Sequence, residues 1–224
     1  MSTLNMDMNV HVVSRTQSSI ALSQIVKRAL DFGLVVAASF VAVPLMLMIG
    51  ATIKLTSPGP IFYSQRRVGR NGNHFFAWKL RTMVVNADET LEQYLQTHPE
   101  LRKEWERDHK LKNDPRVTSI GHLLRKTSLD ELPQLWNVFC GEMSLVGPRP
   151  IVDAEIKKYG EAYRCYSKVL PGITGLWQVS GRNNTTYEER VAFDDYYVRH
   201  WSLWMDTYIL LKTVRVVLLR EGAY

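Results

Sequence analysis

The stretch FGLVVAASFVAVPLMLMIGATI, residues 32–53, decides the architecture of this chain, because it holds 22 successive residues without a charge. As a helix rising about 1.5 Å per residue it can span a bilayer core of roughly 30 Å. The 30 residues before it are polar and no small-residue cleavage site follows it, which argues against a cleaved signal peptide. The sequence therefore predicts a retained segment that enters a membrane.

Pro44 lies near the middle of this run and predicts a kink or break, because proline lacks a backbone donor and clashes with the preceding turn. Each half of about ten residues is too short to cross alone. Basic residues flank both ends: Lys27, Arg28, Lys54, Arg66, Arg67 and Arg70. These charges favour a re-entrant hairpin with both ends in the cytoplasm. A Pro-kinked transmembrane helix and a buried core helix of a soluble protein stay open as alternatives.

Composition limits the class of protein. The 224 residues, 46% of them apolar, suit one domain with a core plus attachments. A net charge of +6 indicates an anionic partner, either nucleic acid, anionic lipid or a phosphorylated substrate. Cys140 and Cys165 show neither metal-ligand spacing nor a disulfide framework, which is typical of a reducing compartment.

Turn signals divide the chain after the apolar run. Ser57–Pro60 ends any helix, and two β-prone runs, 61–67 and 74–80, follow on either side of an Asn71-Gly72 turn. This pattern predicts a small β-hairpin. Charged residues with periodic apolar positions predict surface helices within 87–111, interrupted near Pro99, and a short helix over 120–125.

Asp130 and Glu131 are the leading candidates for chemistry. The structural interpretation is a helix start, with Asp130 as N-cap or with Ser128 and Glu131 as a capping box. The functional interpretation is an ionised carboxylate that attacks phosphorus or holds a divalent metal, with Arg125 and Lys126 just upstream. The two interpretations are compatible.

Two loops could bind phosphate. In Gly147-Pro148-Arg149-Pro150, prolines restrict the backbone around Arg149, which suits either a preorganised phosphate contact or a rigid interdomain turn. The glycine-rich stretch 171–182 could wrap a ligand with backbone amides and supply Arg182. It matches neither a Walker A loop nor the dinucleotide fingerprint.

Several segments in one order resemble the bacterial sugar transferases of the monotopic phosphoglycosyl transferase family. The similarity runs from about Lys27 to Tyr224, and the segments that carry it are KRALD (27–31), WKLRTM (78–83), TSLDELPQLWNV (127–138), MSLVGPRP (143–150) and PGITG (171–175). The chain is most similar to exopolysaccharide-initiating galactose-1-phosphate transferases of succinoglycan-type pathways. It has no counterpart of the multi-span N-terminal region of larger relatives, so we expect a nearly minimal catalytic unit.

This resemblance implies transfer of a hexose 1-phosphate, galactose or glucose, from a UDP-sugar to undecaprenyl phosphate. Asp130 would attack the sugar-bearing phosphate and release UMP, and the acceptor would then take the phosphosugar from the carboxylate. Mg²⁺ would lie near Asp130 and Glu131, and Glu131 could instead orient or deprotonate the acceptor. The candidates for binding phosphate or substrate are Lys79, Arg81, Arg125, Arg149 and Arg182.

The resemblance also implies an α+β, mostly helical, monotopic membrane protein. We expect a flexible tail over 1–23, a re-entrant helix over 24–56 broken at Pro44, and a cytoplasmic catalytic domain over 57–224 at the bacterial inner membrane. Val43 stands where the family has serine before the proline, which leaves the break angle open. The stretch 196–219 mixes Trp, Tyr, aliphatic and basic residues and suits either an interfacial helix or an amphipathic helix packed on the domain.

Other classes of protein fit less well. A polytopic lipid-phosphate transferase needs several spans, and one apolar run is long enough. A nucleic-acid module or a non-catalytic membrane scaffold of a polysaccharide assembly complex would explain the charge but not the carboxylate and arginine motifs. We therefore expect no nucleic-acid partner, and product transfer to downstream glycosyltransferases. The oligomeric state is left open between monomer and homo-oligomer.

Overall fold

The computed structural model describes residues 17–108, 111, 114–181 and 185–219. Within these residues the chain is mostly helical, with two small two-stranded sheets, as the α+β prediction requires. Its elements are α1 Gln17–Thr56, β1 Phe62–Val68, β2 His74–Leu80, α2 Ala87–Thr97, α3 Pro99–Asp108, α4 Ser119–Thr127, α5 Gln134–Cys140, β3 Ser144–Val146, α6 Asp153–Tyr159, α7 Tyr163–Tyr166, β4 Gly172–Thr174, α8 Leu176–Ser180, α9 Tyr187–His200 and α10 Leu203–Leu219.

The predicted β-hairpin is confirmed. β1 and β2 pair antiparallel, from Phe62 opposite Leu80 at the open end to Val68 opposite His74 at the turn. Asn71 and Gly72 in the connection have φ values of 59° and 76°, in the left-handed region that these two residue types tolerate best. The turn chemistry therefore sets the register that carries Lys79 to the end of β2.

The apolar run forms one helix, α1, which includes Pro44 without an interruption in its assigned helical residues. In the described part of the chain it is the one helix long and apolar enough to cross a membrane. Residues 17–23, predicted as part of a flexible tail, lie in this helix, while residues 1–16 lie outside the described residues. The re-entrant course and the domain boundaries remain predictions.

Polar contacts dock the first part of α1 on the rest of the protein. Asp31, 5% exposed, accepts hydrogen bonds from the Ser144 hydroxyl at 2.7 Å and from the Leu145 amide at 3.3 Å. Lys27 lies 2.6 Å from the Asp206 carboxylate of α10. These contacts explain why charged residues of α1 lie so close to its apolar run, and they fix α1 relative to β3 and α10.

Two further hydrogen bonds and two apolar clusters continue this docking along α1. Arg28 donates to the last carbonyls of α5, those of Val138 and Phe139, at 2.6 and 2.9 Å. Val35 then packs in a cluster with side chains from β2 and α5, and Ile53 packs in a second cluster with Leu80. Both ends of the apolar run therefore contact the same folded unit.

A buried amide joins β2 to α5. The Asn137 side chain is completely buried, donates to the Phe76 carbonyl at 2.8 Å and to Glu142 at 2.6 Å, and accepts from the Trp78 amide at 3.1 Å. It replaces the missing sheet partner of β2 at this point. The strand that carries Lys79 is thereby held against the helix that follows Asp130.

The middle of the chain follows the sequence prediction closely. α2 and α3 are separated at His98, next to Pro99, and α4 covers the predicted short helix. A cluster of Leu91, Leu95 and Leu111 packs the first two of these helices. Cys140 and Cys165 are both free, as expected.

A close crossing of two glycine segments was not predicted. β3 and β4 pair in parallel, and the Gly147 amide donates to the Thr174 carbonyl at 2.9 Å. A Cβ atom on Gly147 would lie only 2.6 Å from the Leu170 carbonyl oxygen, so a larger residue would push the strands apart. This crossing positions the loop that carries Arg149.

α10 has two different faces. Asp206, Ile209 and Val216 are buried against the rest of the protein. Trp204 and Leu211, in contrast, are 78% and 69% exposed. The helix therefore packs on the domain and also presents an apolar surface, which keeps both sequence interpretations of this segment compatible with the structure.

We predict that Asn137→Ala lowers the free energy of unfolding by about 2–4 kcal/mol, because it removes three hydrogen bonds of a completely buried side chain, two of them to the backbone of β2. Chemical unfolding in detergent checks this value. Asn86→Ala is the matched control, because Asn86 is exposed and its side chain makes no capping bond. Equal stabilities of the two variants would contradict the role assigned to Asn137.

Candidate active site

A chamber of about 990 Å³ brings together most of the residues singled out from the sequence. Its walls come from the end of β2, the turn after α4, the Arg149 loop and the segment from β4 to α8. The predicted site residues that line it are Lys79, Arg81, Arg125, Asp130, Glu131 and Arg149. Residues more than 50 positions apart in sequence therefore face one cavity.

The carboxylate pair lies in a 3-10 turn, Leu129–Glu131, between two helices. Ser128 ends α4 with a φ of 56°, and α5 begins only at Gln134. The prediction that Asp130 is the N-cap of the next helix is wrong, because Pro133 occupies that position before α5. Ser128 stands at the N-cap of the 3-10 turn, but its side chain makes no capping bond. The tight turn instead directs Asp130 into the chamber wall, where it is 8% exposed.

Lys79 is the nearest cation to the pair. Its ammonium nitrogen lies 2.6 Å from Oε1 of Glu131 and 4.0 Å from Oδ2 of Asp130. The alternation of side chains along β2 determines which of its residues face the chamber. Lys79 therefore forms a direct ion pair with one carboxylate and a longer electrostatic contact with the other.

Burial dominates the protonation behaviour of Asp130. Loss of hydration raises the pKa of Asp130 to about 6, Lys79 and Arg125 lower it, and the neighbouring Glu131 raises it. The carboxylate is thus mostly ionised at neutral pH but weakly solvated. A poorly hydrated anion close to cations is well suited to attack an electrophilic phosphorus.

Arg125 and Arg81 line the chamber in different ways. Nε of Arg125 donates to the Thr82 hydroxyl at 3.0 Å, which orients its guanidinium near Asp130. Arg81 is 7% exposed and donates to the carbonyls of Ser57 and Pro58. Arg81 therefore holds the loop after α1, and this contact uses two of its nitrogens.

Arg149 lines the chamber together with Trp177. Its guanidinium carbon lies 5.7 Å from the centre of the Trp177 ring, and its backbone amide donates to Asp194 at 3.4 Å. Among the described residues, its guanidinium has no hydrogen-bond or ion-pair partner. A preorganised arginine with unused donors is a suitable phosphate ligand.

A buried carboxyl group, that of Asp194, accepts the hydrogen bond from the Arg149 backbone amide. Asp194 is 1% exposed, and Oδ2 accepts a hydrogen bond from the Tyr159 hydroxyl at 2.7 Å. Burial raises the pKa of Asp194 to about 7, while the Tyr159 hydrogen bond lowers it. Asp194 thus contributes to placing Arg149, and no motif in the sequence indicated this residue.

Sequence reasoning also missed a second arginine beside Trp177. The guanidinium carbon of Arg190 lies 4.3 Å from the Trp177 ring centre and 5.6 Å from that of Tyr187. Within the described residues, Nε of Arg190 and the Trp177 indole nitrogen are buried without a hydrogen-bond partner. Arg190 does not line the chamber itself, but together with Arg149 it places two guanidinium groups on the Trp177 ring, which does line it.

Two predicted features lie elsewhere. Arg182 falls outside the described residues, so its predicted binding role stays a prediction. Pro44 lies within α1 and does not line the chamber. The described residues hold no cluster of three or more metal-ligating side chains. Two adjacent carboxylates still fit Mg²⁺, which commonly takes one or two carboxylates together with substrate phosphates and water.

Comparison with known proteins identifies the family. The family described as "Bacterial sugar transferase" matches residues 22–220 of this chain. The chain belongs to this family. It is 52% identical over 202 residues to a "UDP-galactose-lipid carrier transferase" of Erwinia amylovora, covering 90% of this chain and 42% of the relative.

Two further relatives differ in length. A Salmonella typhimurium "Undecaprenyl-phosphate galactose phosphotransferase" is 49% identical over 212 residues, 94% of this chain and 44% of the relative. A Rhizobium meliloti "Exopolysaccharide production protein ExoY" is 48% identical over 198 residues, 88% of each chain. This bacterial sugar transferase therefore spans less than half of the Erwinia and Salmonella relatives and most of the Rhizobium one.

We predict that Asp130→Asn stabilises this bacterial sugar transferase at pH 8 by about 1–3 kcal/mol, because an ionised carboxylate whose pKa is raised by burial destabilises the fold. The difference in unfolding free energy between the variant and the wild type is absent below pH 4, where the carboxyl is protonated in the folded and unfolded states. It grows between about pH 4 and pH 6, where the carboxyl is ionised in the unfolded state but still protonated in the folded state, and it levels off above about pH 6. Unfolding curves across this range check the sign, and a gap independent of pH would contradict it.

Proposed function

We propose that this protein transfers a hexose 1-phosphate from a UDP-sugar to undecaprenyl phosphate, releases UMP and so starts an exopolysaccharide repeat unit. The observation that carries the proposal is Asp130, a buried carboxylate in a chamber whose walls also hold Lys79, Arg125 and Arg149. The names of the Erwinia, Salmonella and Rhizobium relatives support this substrate class.

In the first step, a carboxylate oxygen of Asp130 attacks the sugar-bearing phosphorus of the UDP-sugar. A new bond forms between that oxygen and phosphorus, and the bond from phosphorus to the bridging oxygen breaks. The electron pair leaves with UMP, and the hexose phosphate remains on Asp130 as an acyl phosphate. The raised pKa of about 6 leaves the nucleophile ionised at neutral pH.

In the second step, a phosphate oxygen of undecaprenyl phosphate attacks the same phosphorus. The bond to the Asp130 oxygen breaks, the carboxylate is restored, and the lipid carries the sugar through a diphosphate. Two displacements avoid a direct encounter between two highly charged phosphates. The lipid product is then the substrate for downstream glycosyltransferases.

The cations of the chamber would stabilise the charge that moves in each step. The Arg149 guanidinium has unused donors beside Trp177, and Arg125 lies near Asp130. Two separate guanidinium groups that line one chamber suit a ligand with two phosphates, such as a nucleotide diphosphate sugar. Lys79 would shift between Glu131 and the incoming phosphate, because one ammonium group reaches both carboxylates.

Asp130 and Glu131 would together hold Mg²⁺ with substrate phosphate oxygens. The ion, when bound, supplies positive charge that offsets the diphosphate. Glu131 has a second proposed role, which is to orient the acceptor phosphate. Its ion pair with Lys79 supports this role, because the pair places a charged group beside the attacking site.

We also propose that α1 is re-entrant and places the catalytic domain at the cytoplasmic face of the inner membrane. Ile53 follows Val35 by 18 positions, about 27 Å along a straight helix. The β2 residues in their clusters are Phe75 and Ala77 for Val35 and Leu80 for Ile53, which lie at most about 17 Å apart along the strand. A helix that bends at Pro44 and returns to the same face accounts for this difference.

The exposed middle of α1 supports this placement. Phe40 is 80% exposed and Leu47 is 71% exposed, whereas Val35 and Ile53 are nearly fully buried. Large apolar side chains with so much exposed surface are stabilised by hydrocarbon rather than water. Basic residues at both ends of the run favour the cytoplasmic side for each end.

We propose galactose as the hexose, with glucose as the alternative, because two of the relatives are named for galactose transfer. UMP release from purified protein with undecaprenyl phosphate, Mg²⁺ and a panel of UDP-sugars tests the function. We expect Asp130→Asn to lower the rate roughly 10³-fold or more, because the nucleophile is lost. The matched control is Asp153→Asn, an exposed carboxylate outside the chamber, with an unchanged rate.

The opposite result favours a different function. If the wild-type protein releases no UMP with any sugar while it stays folded and membrane-bound, the protein acts as a non-catalytic scaffold of a polysaccharide assembly complex. If Asp130→Asn keeps its activity, the protein is a transferase with another nucleophile.

We predict that Lys79→Met moves the acidic limb of the rate–pH profile to higher pH, because Lys79 lowers the pKa of Asp130. The rate then falls more at pH 6 than at pH 8. UMP release measured across this range checks the shift. Lys126→Met, which removes a neighbouring exposed cation outside the chamber, should leave the profile in place. An equal loss at every pH would contradict the electrostatic role.

A further inference from the structure

A second cavity lies between the middle of α1 and the catalytic domain. This groove has a volume of about 410 Å³ and is lined almost entirely by carbon. Its one hydroxyl, that of Ser39, donates to the Val35 carbonyl at 2.7 Å and is therefore satisfied within α1. The lining side chains are Val35, Ser39, Ala42, Val43, Met46, Phe62, Trp78, Pro133, Leu135, Trp136 and Phe139.

The groove continues into the catalytic chamber. Phe62 and Leu135 line both cavities, so the two cavities meet at these side chains. Pro133, in the groove wall, follows Asp130 by three positions, so the same turn forms part of both. An elongated ligand could therefore place one end beside Asp130 and the other against α1.

The two cavities differ sharply in chemistry. The chamber presents Lys79, Arg125 and Arg149, whereas the groove presents no charged side chain among the residues that the structure describes. Together they fit an amphiphile with an anionic head and a hydrocarbon chain. The far side of the groove is formed by α1, whose neighbouring residues Phe40 and Val41 are exposed, so a chain can enter from the surrounding apolar phase.

An aromatic row stiffens the outer wall. The Phe32 and Phe139 rings lie 5.1 Å apart, and the Phe139 and Trp136 rings lie 5.5 Å apart, both as stacked pairs. Trp136 is nevertheless 60% exposed. The wall is therefore held in place by contacts with α1, while one indole face stays available for a ligand.

We propose that this groove binds the first isoprene units of the polyprenyl phosphate acceptor and so directs its phosphate at Asp130. The inference rests on the proposed function and assigns the acceptor subsite within it. A polyprenyl phosphate suits the site better than a phospholipid, because its chain is joined directly to the phosphate. The ester carbonyls of a phospholipid would lie beside Phe62 and Leu135, which offer no hydrogen-bond donor.

If the groove binds the acceptor, its residues affect only the second step, the transfer to polyprenyl phosphate. UMP release without acceptor needs only the UDP-sugar and Asp130, whereas turnover also needs the polyprenyl phosphate. Loss of groove contacts should therefore raise the KM for the acceptor and leave the burst of UMP unchanged. The burst also reports whether each variant is folded.

The experiment compares two groove variants with a control in detergent-solubilised full-length protein. Trp136→Ala removes the exposed wall, and we expect the KM for undecaprenyl phosphate to rise roughly tenfold. Ala42→Phe fills the groove from α1, and we expect it to impair undecaprenyl phosphate but not dimethylallyl phosphate, which has a single isoprene unit. Trp204→Ala removes an even more exposed indole from α10, outside the groove, and should leave the KM unchanged.

Three results would overturn the inference. An unchanged acceptor KM in both groove variants, with a normal burst, would show that the chain binds elsewhere while the proposed function stands. An equal rise of the acceptor KM in the Trp204→Ala control would show that both indoles act by attaching the protein to the membrane or detergent rather than by binding the acceptor chain. Absence of a burst in the unmodified protein would refute the two-step function itself, and the acceptor subsite with it.

Discussion

The hydrogen bonds of the Asn137 side chain are the constraint on which the site depends. This buried amide binds two backbone groups of β2 on one side and belongs to α5 on the other. Lys79 lies one residue beyond the bonded part of β2, and Asp130 lies in the turn that leads into α5. The distance between the lysine and the carboxylate pair is therefore set by one polar contact in an apolar core, where an unpaired group would be costly.

The ionisation of Asp130 follows from this geometry. Burial raises the pKa of Asp130 to about 6, and cations lower it again, so the carboxylate stays ionised without a full hydration shell. The same arrangement costs stability and favours reaction with phosphorus. On the other side of the turn, α1 docks through Asp31 and Val35 and places an apolar surface beside the polar chamber. A water-soluble donor and a lipid acceptor can then meet at one carboxylate.

Local sequence patterns predicted those features of the fold that neighbouring residues specify, such as turns. The Asn71-Gly72 turn predicted the hairpin, because two residues that tolerate positive φ specify it. Motif resemblance predicted that Lys79 and Asp130 belong to one site, although propensity cannot place residues that are 51 positions apart. Asp194 and Arg190 carry no local signal, because their roles arise only when α9 packs beneath the Arg149 loop. The capping interpretation of Asp130 failed because a 3-10 turn separates it from α5.

The central claim is that Asp130 accepts the phosphosugar. The most direct test mixes the protein with UDP-galactose and Mg²⁺ without an acceptor, digests it, and maps any added hexose phosphate by mass spectrometry. The account predicts an adduct on the peptide that contains Asp130, lost when undecaprenyl phosphate is added. UMP release that requires the acceptor, with no adduct at any time, would instead indicate direct transfer and contradict the account.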